Sequence, residues 1–158
     1  MNENLPLILM ADDSVTDTDF ALEALAEFNL TDQMHVVRDG VEALDFMCRR
    51  GKFAGRIGPD PTVLLLDINM PRLNGLEVLQ RMKSEPELSR IPVVMLTSSS
   101  ESPDLSESRR LGAIAYIVKP GKFKSFSSAI KIIGQFWGVL NVLQPVQRPF
   151  PRLSETED

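Results

Sequence analysis

Five short apolar runs recur along the chain, with longer stretches of helical spacing between them. The runs cover residues 6–11, 34–37, 62–66, 91–96 and 115–118. The first, third and fourth runs are almost continuously apolar, which is typical of strands that are covered on both faces of a parallel sheet. We therefore predict five β-strands from these runs.

Between the runs, apolar residues recur at the three- and four-residue spacing of amphipathic helices. The sets are Phe20, Ala21, Ala24, Leu25 and Phe28; Val41, Leu44, Met47 and Cys48; Leu76, Leu79 and Met82; and a weaker set at Leu105, Ser108 and Leu111. A fifth helix is predicted to begin near Lys122. Strand and helix thus alternate five times, which predicts an α/β fold with a doubly wound, five-stranded parallel sheet.

Composition and charge narrow the possible functions. The chain has 158 residues, of which 43% are apolar and 25% charged, as in an ordinary soluble domain. The formal net charge of −5 argues against a nucleic-acid partner. No apolar run approaches the roughly 20 residues that span a bilayer. The single cysteine, Cys48, allows no internal disulfide and fits a reducing compartment, so we expect a cytoplasmic protein without a membrane partner.

Two adjacent acids, Asp12 and Asp13, follow the first apolar run. One interpretation is helix capping, because these acids and Ser14 directly precede an amphipathic stretch and can accept hydrogen bonds from its free N–H groups. Two neighbouring carboxylates, however, raise each other's pKa unless a positive charge lies close by. The pair therefore indicates a cation or a cationic side chain in its vicinity.

The ends of the other runs carry matching groups. Asp67 follows the third run, Thr97 the fourth and Lys119 the fifth. The carboxyl ends of parallel strands lie along one edge of the sheet, and in the order 2-1-3-4-5 the first and third strands are neighbours. We therefore expect Asp12, Asp13 and Asp67 to converge, with Thr97 and Lys119 on the far rim.

This set of groups predicts phosphoryl chemistry. Clustered carboxylates suit Mg²⁺, which accepts a few hard oxygen ligands and keeps several waters. The hydroxyl of Thr97 and the ammonium of Lys119 can hold a doubly charged phosphoryl group beside the metal. Asp67 is the central carboxylate, so it is best placed to attack and to become an acyl phosphate.

The motifs LMADDS, LLLDINMPRLNG, VVMLTSSS and AYIVKP resemble those of response regulator receiver domains of the CheY-like type, over roughly residues 5–140. The separations of 30 residues from Asp67 to Thr97 and 52 to Lys119 also resemble the family's spacing. The resemblance implies that Asp67 accepts a phosphoryl group from the phosphohistidine of a sensor histidine kinase. The chain would then be a switch in a two-component phosphorelay, and it would catalyse only its own phosphorylation and dephosphorylation.

The same resemblance implies the roles of the surrounding residues. Asp12 and Asp13 would hold Mg²⁺, with Mn²⁺ as a substitute, and Asp13 would do so more directly. Asn69 would contribute its backbone carbonyl to the metal. Lys119 and Thr97 would each contact a phosphoryl oxygen.

A conformational switch is implied for Tyr116. This ring would turn inward once Thr97 has moved towards the phosphoryl group, which would change the surface around helix four, strand five and helix five. Pro120 would follow the family's cis Lys–Pro turn. The alternative for Tyr116 is an ordinary strand aromatic.

Two features depart from a short receiver domain. The loop at 49–61 lengthens the segment between Asp13 and Asp67, and a tail continues after Leu140 without room for a DNA-binding domain. Both features resemble the stand-alone regulators that accompany bacterial phytochrome kinases. The resemblance therefore implies a bacteriophytochrome as the partner kinase.

The predicted fifth helix is apolar on two sides. One stripe would cover the sheet, and the second would remain exposed, which usually marks an interface. The second stripe and the tail supply Ile132, Phe136, Val139, Leu143 and Phe150. We expect a receiver domain over 5–143, a proline-containing extension over 144–158, and a homodimer through helix five and this extension. The alternative is that the extension folds back over its own helix.

The main alternative function is a phosphatase of the haloacid dehalogenase type, which also forms an aspartyl phosphate after an apolar strand. Such enzymes carry a second acid two residues after the nucleophile, and Asn69 occupies that position here. A flavin carrier would need a phosphate-binding loop where Asp12 and Asp13 stand. The residues therefore disfavour both alternatives.

Overall fold

The computed structural model describes residues 7–27, 29–98 and 103–119. In these ranges strands and helices alternate as the apolar pattern predicted. In chain order the elements are β1 (Ile8–Ala11), α1 (Val15–Ala26), a 3-10 turn (Thr31–Gln33), β2 (Met34–Val37), α2 (Gly40–Cys48), a second 3-10 turn (Gly51–Phe53), β3 (Val63–Asp67), α3 (Gly75–Lys83), β4 (Val93–Thr97), α4 (Pro103–Arg110) and β5 (Ala115–Val118).

The strands form one parallel sheet in the order β2-β1-β3-β4-β5. Its register pairs Ala11 with Leu66 and Asp67 with Leu96, so β1, β3 and β4 end side by side. Every residue of β1, β3 and β4 is buried, which explains why these strands are apolar up to the polar residues that end β3 and β4. The predicted fold class and strand order are confirmed.

Alternate positions along the strands divide the apolar core into two layers. Leu64 belongs to the layer that includes residues of α2 and α3, such as Leu79. Its neighbour Leu65 belongs to the opposite layer, which includes Leu25 of α1. The sheet is therefore held from both sides, and the ends of its central strands are fixed in position.

The third and fourth strands end at the polar residues that the sequence predicted for these ends. Asp67 and Thr97 are the last residues of β3 and β4, whereas the apolar runs ended one residue earlier. The fourth strand begins at Val93 and not at residue 91, because Pro92 has no N–H to donate to the ladder. Because Asp67 and Thr97 are strand residues, the sheet itself holds them in position.

The long loop at 49–61 packs against α2 and the β2 edge of the sheet. Phe53 lies edge-on to Phe46, with 5.1 Å between the ring centroids, and His35 lies 4.6 Å from Phe46. The guanidinium of Arg56 lies 4.0 Å above the Phe46 ring and donates to its carbonyl oxygen at 3.0 Å. The predicted loop is thus a packed part of the domain.

The predicted fifth helix, Pro120 and the extension lie outside the described residues. So do the five residues of the expected dimer interface: Ile132, Phe136, Val139, Leu143 and Phe150. Within the ranges that are described, no helix is long and apolar enough to cross a membrane.

Candidate functional site

Three carboxylates meet where β1 and β3 end. One oxygen from each of Asp12, Asp13 and Asp67 can be chosen so that all three lie within 4.8 Å of one another. Asp12 and Asp67 are only 0% and 4% exposed, whereas Asp13 is exposed. The structure therefore brings the three predicted acids together, with two of them buried and one at the opening.

Lys119 follows β5 and faces this cluster. Its Nζ lies 3.1 Å from Oδ2 of Asp67 and 3.1 Å from Oδ2 of Asp12. A third carboxylate, Asp17, approaches the same Nζ at 2.9 Å, and sequence reasoning did not include this residue in the site. One ammonium is thus shared by three acids.

Backbone N–H groups orient the two buried carboxylates. The N–H of Ser14 donates to Oδ1 of Asp12 at 2.9 Å, and the N–H of Asn69 donates to Oδ1 of Asp67 at 3.2 Å. Ser14 also caps α1, since its Oγ accepts from the N–H of Asp17 at 3.2 Å. Ser14 is therefore the residue of this segment that caps the helix, whereas Asp12 and Asp13 belong to the acid cluster.

Burial dominates the electrostatics of the site. It raises the pKa of Asp67 to about 7, with a further contribution from the charge of Asp12, although Lys119 opposes the change. Burial also raises the pKa of Asp12. For Lys119 burial would lower the pKa, but its contacts with Asp17, Asp67 and Asp12 outweigh this effect and raise the pKa. A single ammonium thus does not fully offset the negative charge of the two buried acids.

The donor set fits a hard divalent ion. Oδ2 of Asp12 is buried and has no hydrogen-bond donor in good geometry, although Nζ of Lys119 lies 3.1 Å away. Carboxylate oxygens are the ligands that Mg²⁺ and Mn²⁺ prefer. A cation here would also counter the repulsion that raises the pKa of Asp67. Asp12, Asp13 and Asp67 are the residues that could hold it.

The remaining predicted residues surround the cluster. Thr97 is 3% exposed, and its carbonyl oxygen accepts from the N–H of Lys119 at 2.6 Å, which fixes the ends of β4 and β5 together. Asn69 lies exposed in the loop after β3. Tyr116 is half-buried in β5 and packs against the core layer of α2 and α3.

Besides Asp17, two supporting residues were missed by the sequence reasoning. Nη1 of Arg38 donates to the carbonyl oxygen of Asp12 at 3.1 Å and to Oγ1 of Thr18 at 3.2 Å, which ties β1 to α1. A Cβ at Gly75 would lie 2.4 Å from the carbonyl oxygen of Asp67, so only glycine lets α3 begin this close to β3. Gly75 is the last residue of the motif LLLDINMPRLNG quoted above, whereas Arg38 lies in none of the quoted motifs.

Sequence comparison identifies the class of protein. The chain matches the response regulator receiver domain family over residues 8–131, and it therefore belongs to this family. It is accordingly a receiver-domain protein of two-component signalling, and the expected function at this level is confirmed. The comparisons give no support to the phosphatase alternative.

Individual relatives show which kinds of receiver-domain protein the chain resembles. The chain is 34% identical to response regulator Rcp1 of Synechocystis sp. over 131 residues, which is 83% of this chain and 88% of the relative. The Mn²⁺-bound form of Rcp1 superposes with a TM-score of 0.74 at 32% identity, and the match covers 89% of this chain and 99% of that one.

Two further solved structures carry phytochrome in their descriptions. The phosphorylated cyanobacterial phytochrome response regulator RcpA gives a TM-score of 0.78 at 33% identity, covering 89% of this chain and 99% of that one. The bacteriophytochrome response regulator RtBRR gives a TM-score of 0.71 at 41% identity, covering 93% and 84% respectively. The expected likeness to regulators of phytochromes is confirmed.

Proposed function

We propose that Asp67 accepts a phosphoryl group from the phosphohistidine of a sensor histidine kinase. A carboxylate oxygen of Asp67 would attack phosphorus, the bond from phosphorus to the histidine nitrogen would break, and an acyl phosphate would form. The observation that carries this proposal is the position of Asp67, whose Oδ2 lies 3.1 Å from Nζ of Lys119 and beside a second buried acid. This carboxylate thus contacts an ammonium and belongs to a cluster of acids that could hold a metal ion.

A divalent metal supports the reaction in this proposal. Asp12, Asp13 and Asp67 would hold Mg²⁺, together with the backbone carbonyl of Asn69. The ion would neutralise charge on the phosphoryl oxygens. The likeness to the Mn²⁺-bound form of Rcp1 supports a divalent ion, and the hard oxygen donors support Mg²⁺ as the cellular choice.

Lys119 and Thr97 would stabilise the phosphoryl group once it is attached. Lys119 already faces Asp67, and Thr97 ends the adjacent strand β4. Movement of the Thr97 side chain towards a new dianion would leave space for the ring of Tyr116, which stands two residues before Val118, the register partner of Thr97. The surface of α4, β5 and the predicted fifth helix would then report phosphorylation.

We also propose the partners of this switch. The likeness to RcpA and RtBRR supports a bacteriophytochrome kinase as the phosphoryl donor. A homodimer through the second stripe of the fifth helix and the 144–158 extension remains part of the proposal, as does a cytoplasmic location. Light scattering on the full chain and on a chain ending at Leu143 tests the dimer, and a monomeric full chain at tens of micromolar would contradict it.

Phosphorylation itself is tested by intact mass. The full chain is incubated with Mg²⁺ and acetyl phosphate, and we expect the mass of one phosphoryl group to be added. Asp67→Asn should add none, and excess EDTA should prevent the gain. The matched control is Asp19→Asn, which changes an exposed acid on α1 and should behave as the parent chain. An unchanged mass in the parent chain would refute the proposal.

A further inference from the structure

Asp17 makes the shortest contact with the ammonium of Lys119. Its Oδ2 lies 2.9 Å from Nζ, whereas the nearest oxygens of Asp12 and Asp67 lie 3.1 Å away. The side chains of Asp17 and Lys119 are only 23% and 17% exposed, so water screens this pair less than it screens a surface pair. Asp17 is therefore a strong competitor for the positive charge of the site.

The start of α1 holds Asp17 in this position. Its N–H donates to the Ser14 cap, which places the residue in the first helical turn, at the end of the sheet where the three clustered acids lie. An acid in a first turn is ordinarily explained by the helix dipole alone. That explanation does not account for a side chain that reaches across to the end of β5.

The three acids around Lys119 differ in what phosphorylation does to them. A divalent ion would engage Asp12, and the phosphoryl group would convert Asp67 into a neutral acyl linkage. Among the described residues, Asp17 is not one of the three acids of the candidate metal site, so its charge would stay close to Lys119 through both events. Asp17 continues to attract Lys119 when the phosphoryl group needs the same ammonium.

We propose that Asp17 is a positioning residue that competes with the phosphoryl group for Lys119 and thereby weakens the hold of the site on that group. The inference rests on the proposed phosphorylation of Asp67. In the resting protein Asp17 keeps the ammonium aimed at the site. In the phosphorylated protein it draws the same ammonium partly away, which shortens the lifetime of the signal.

Asp17→Asn tests this competition, because it keeps the shape of the side chain and removes its charge. The full chain is titrated with beryllofluoride, a stable stand-in for the phosphoryl group, in the presence of Mg²⁺ and followed by ¹⁹F NMR. We expect binding to be about three- to tenfold tighter than in the parent chain, the effect of removing one partly screened charge contact. Hydrolysis after acetyl phosphate labelling should slow by a similar factor.

Two controls separate competition from general effects. Asp19→Asn removes an exposed acid two residues further along α1 and should leave beryllofluoride affinity unchanged. The second control repeats Asp17→Asn in a Lys119→Met background, where the gain should vanish because the contested ammonium is missing.

Each possible result leads to a different conclusion. A parent chain that binds no beryllofluoride would overturn the phosphorylation proposal together with this inference. A parent chain that binds, combined with no gain in Asp17→Asn, would overturn the inference alone. A gain that persists without Lys119, or that Asp19→Asn reproduces, would also overturn it, because general charge and not competition would then be responsible.

Discussion

Replacing Asp67 by asparagine is expected to stabilise the metal-free protein at alkaline pH. Asp67 is 4% exposed, and its pKa is raised to about 7 from an ordinary value of 3.8, chiefly by burial and next by the charge of Asp12. A raised carboxyl pKa means that the folded protein binds this proton more tightly than the unfolded chain does. The folded state is therefore penalised wherever the carboxyl must be ionised.

The sign and size of the effect follow from linkage. Below about pH 4 both states are protonated and there is no penalty. Between pH 4 and 7 the Asp67 carboxyl ionises only in the unfolded chain, so the free energy of unfolding falls as the pH rises. Above pH 7 the penalty has its full size and grows no further. Each pKa unit corresponds to about 1.36 kcal/mol. The free energy of unfolding of Asp67→Asn should therefore exceed that of the parent chain by about 2 kcal/mol at pH 5.5 and about 4 kcal/mol at pH 8.

Urea unfolding followed by far-ultraviolet circular dichroism measures this difference. Parent and Asp67→Asn chains are compared in EDTA at pH 5.5 and pH 8, with Asp19→Asn as the control for net charge. Adding Mg²⁺ at pH 8 should stabilise the parent chain more than the variant, because the variant lacks one of the three proposed metal ligands. The reasoning fails if Asp67→Asn has no advantage at pH 8, or if its advantage does not grow with pH.

Two further predictions concern packing. Gly75→Ala places a Cβ 2.4 Å from the carbonyl oxygen of Asp67. It should therefore lower the free energy of unfolding by about 1–3 kcal/mol and slow labelling by acetyl phosphate. The control Gly55→Ala, whose Cβ meets nothing within 4 Å, should have neither effect. Leu65→Ala removes a fully buried side chain from β3, so the free energy of unfolding measured in urea should fall by about 2–5 kcal/mol. The control Val15→Ala, at a position that is 59% exposed, should lower it by about 0.5 kcal/mol or less. Equal effects within either pair would contradict the packing assignment.

The strand order and the acid cluster were predictable because parallel topology leaves few choices. Continuous apolar runs identified the covered strands, and adjacent β1 and β3 bring Asp12 and Asp67 together by geometry alone. The chemistry at the strand ends then followed from residue type. Asp67 and Thr97 end β3 and β4 as predicted, one position after the apolar character of each run stops.

What the sequence could not predict depends on contacts between distant segments. Asp17 has the local pattern of a first-turn helix acid, and nothing near it indicates that its carboxylate reaches Lys119. The loop at 49–61 has no periodic pattern, so the stacking of Arg56 on Phe46 was not visible. Both arrangements form only when the tertiary structure supplies the partner.

The ammonium beside the acid cluster comes from very late in the domain, since Lys119 and Asp12 are 107 positions apart. During synthesis on the ribosome, the two ends of this contact emerge at widely separated times. A nascent chain that has folded only through β4 exposes carboxylates without their counter-charge. Under the proposed function, a chain in which β5 has not docked would therefore lack the ammonium that holds the phosphoryl group, and it would not retain a signal.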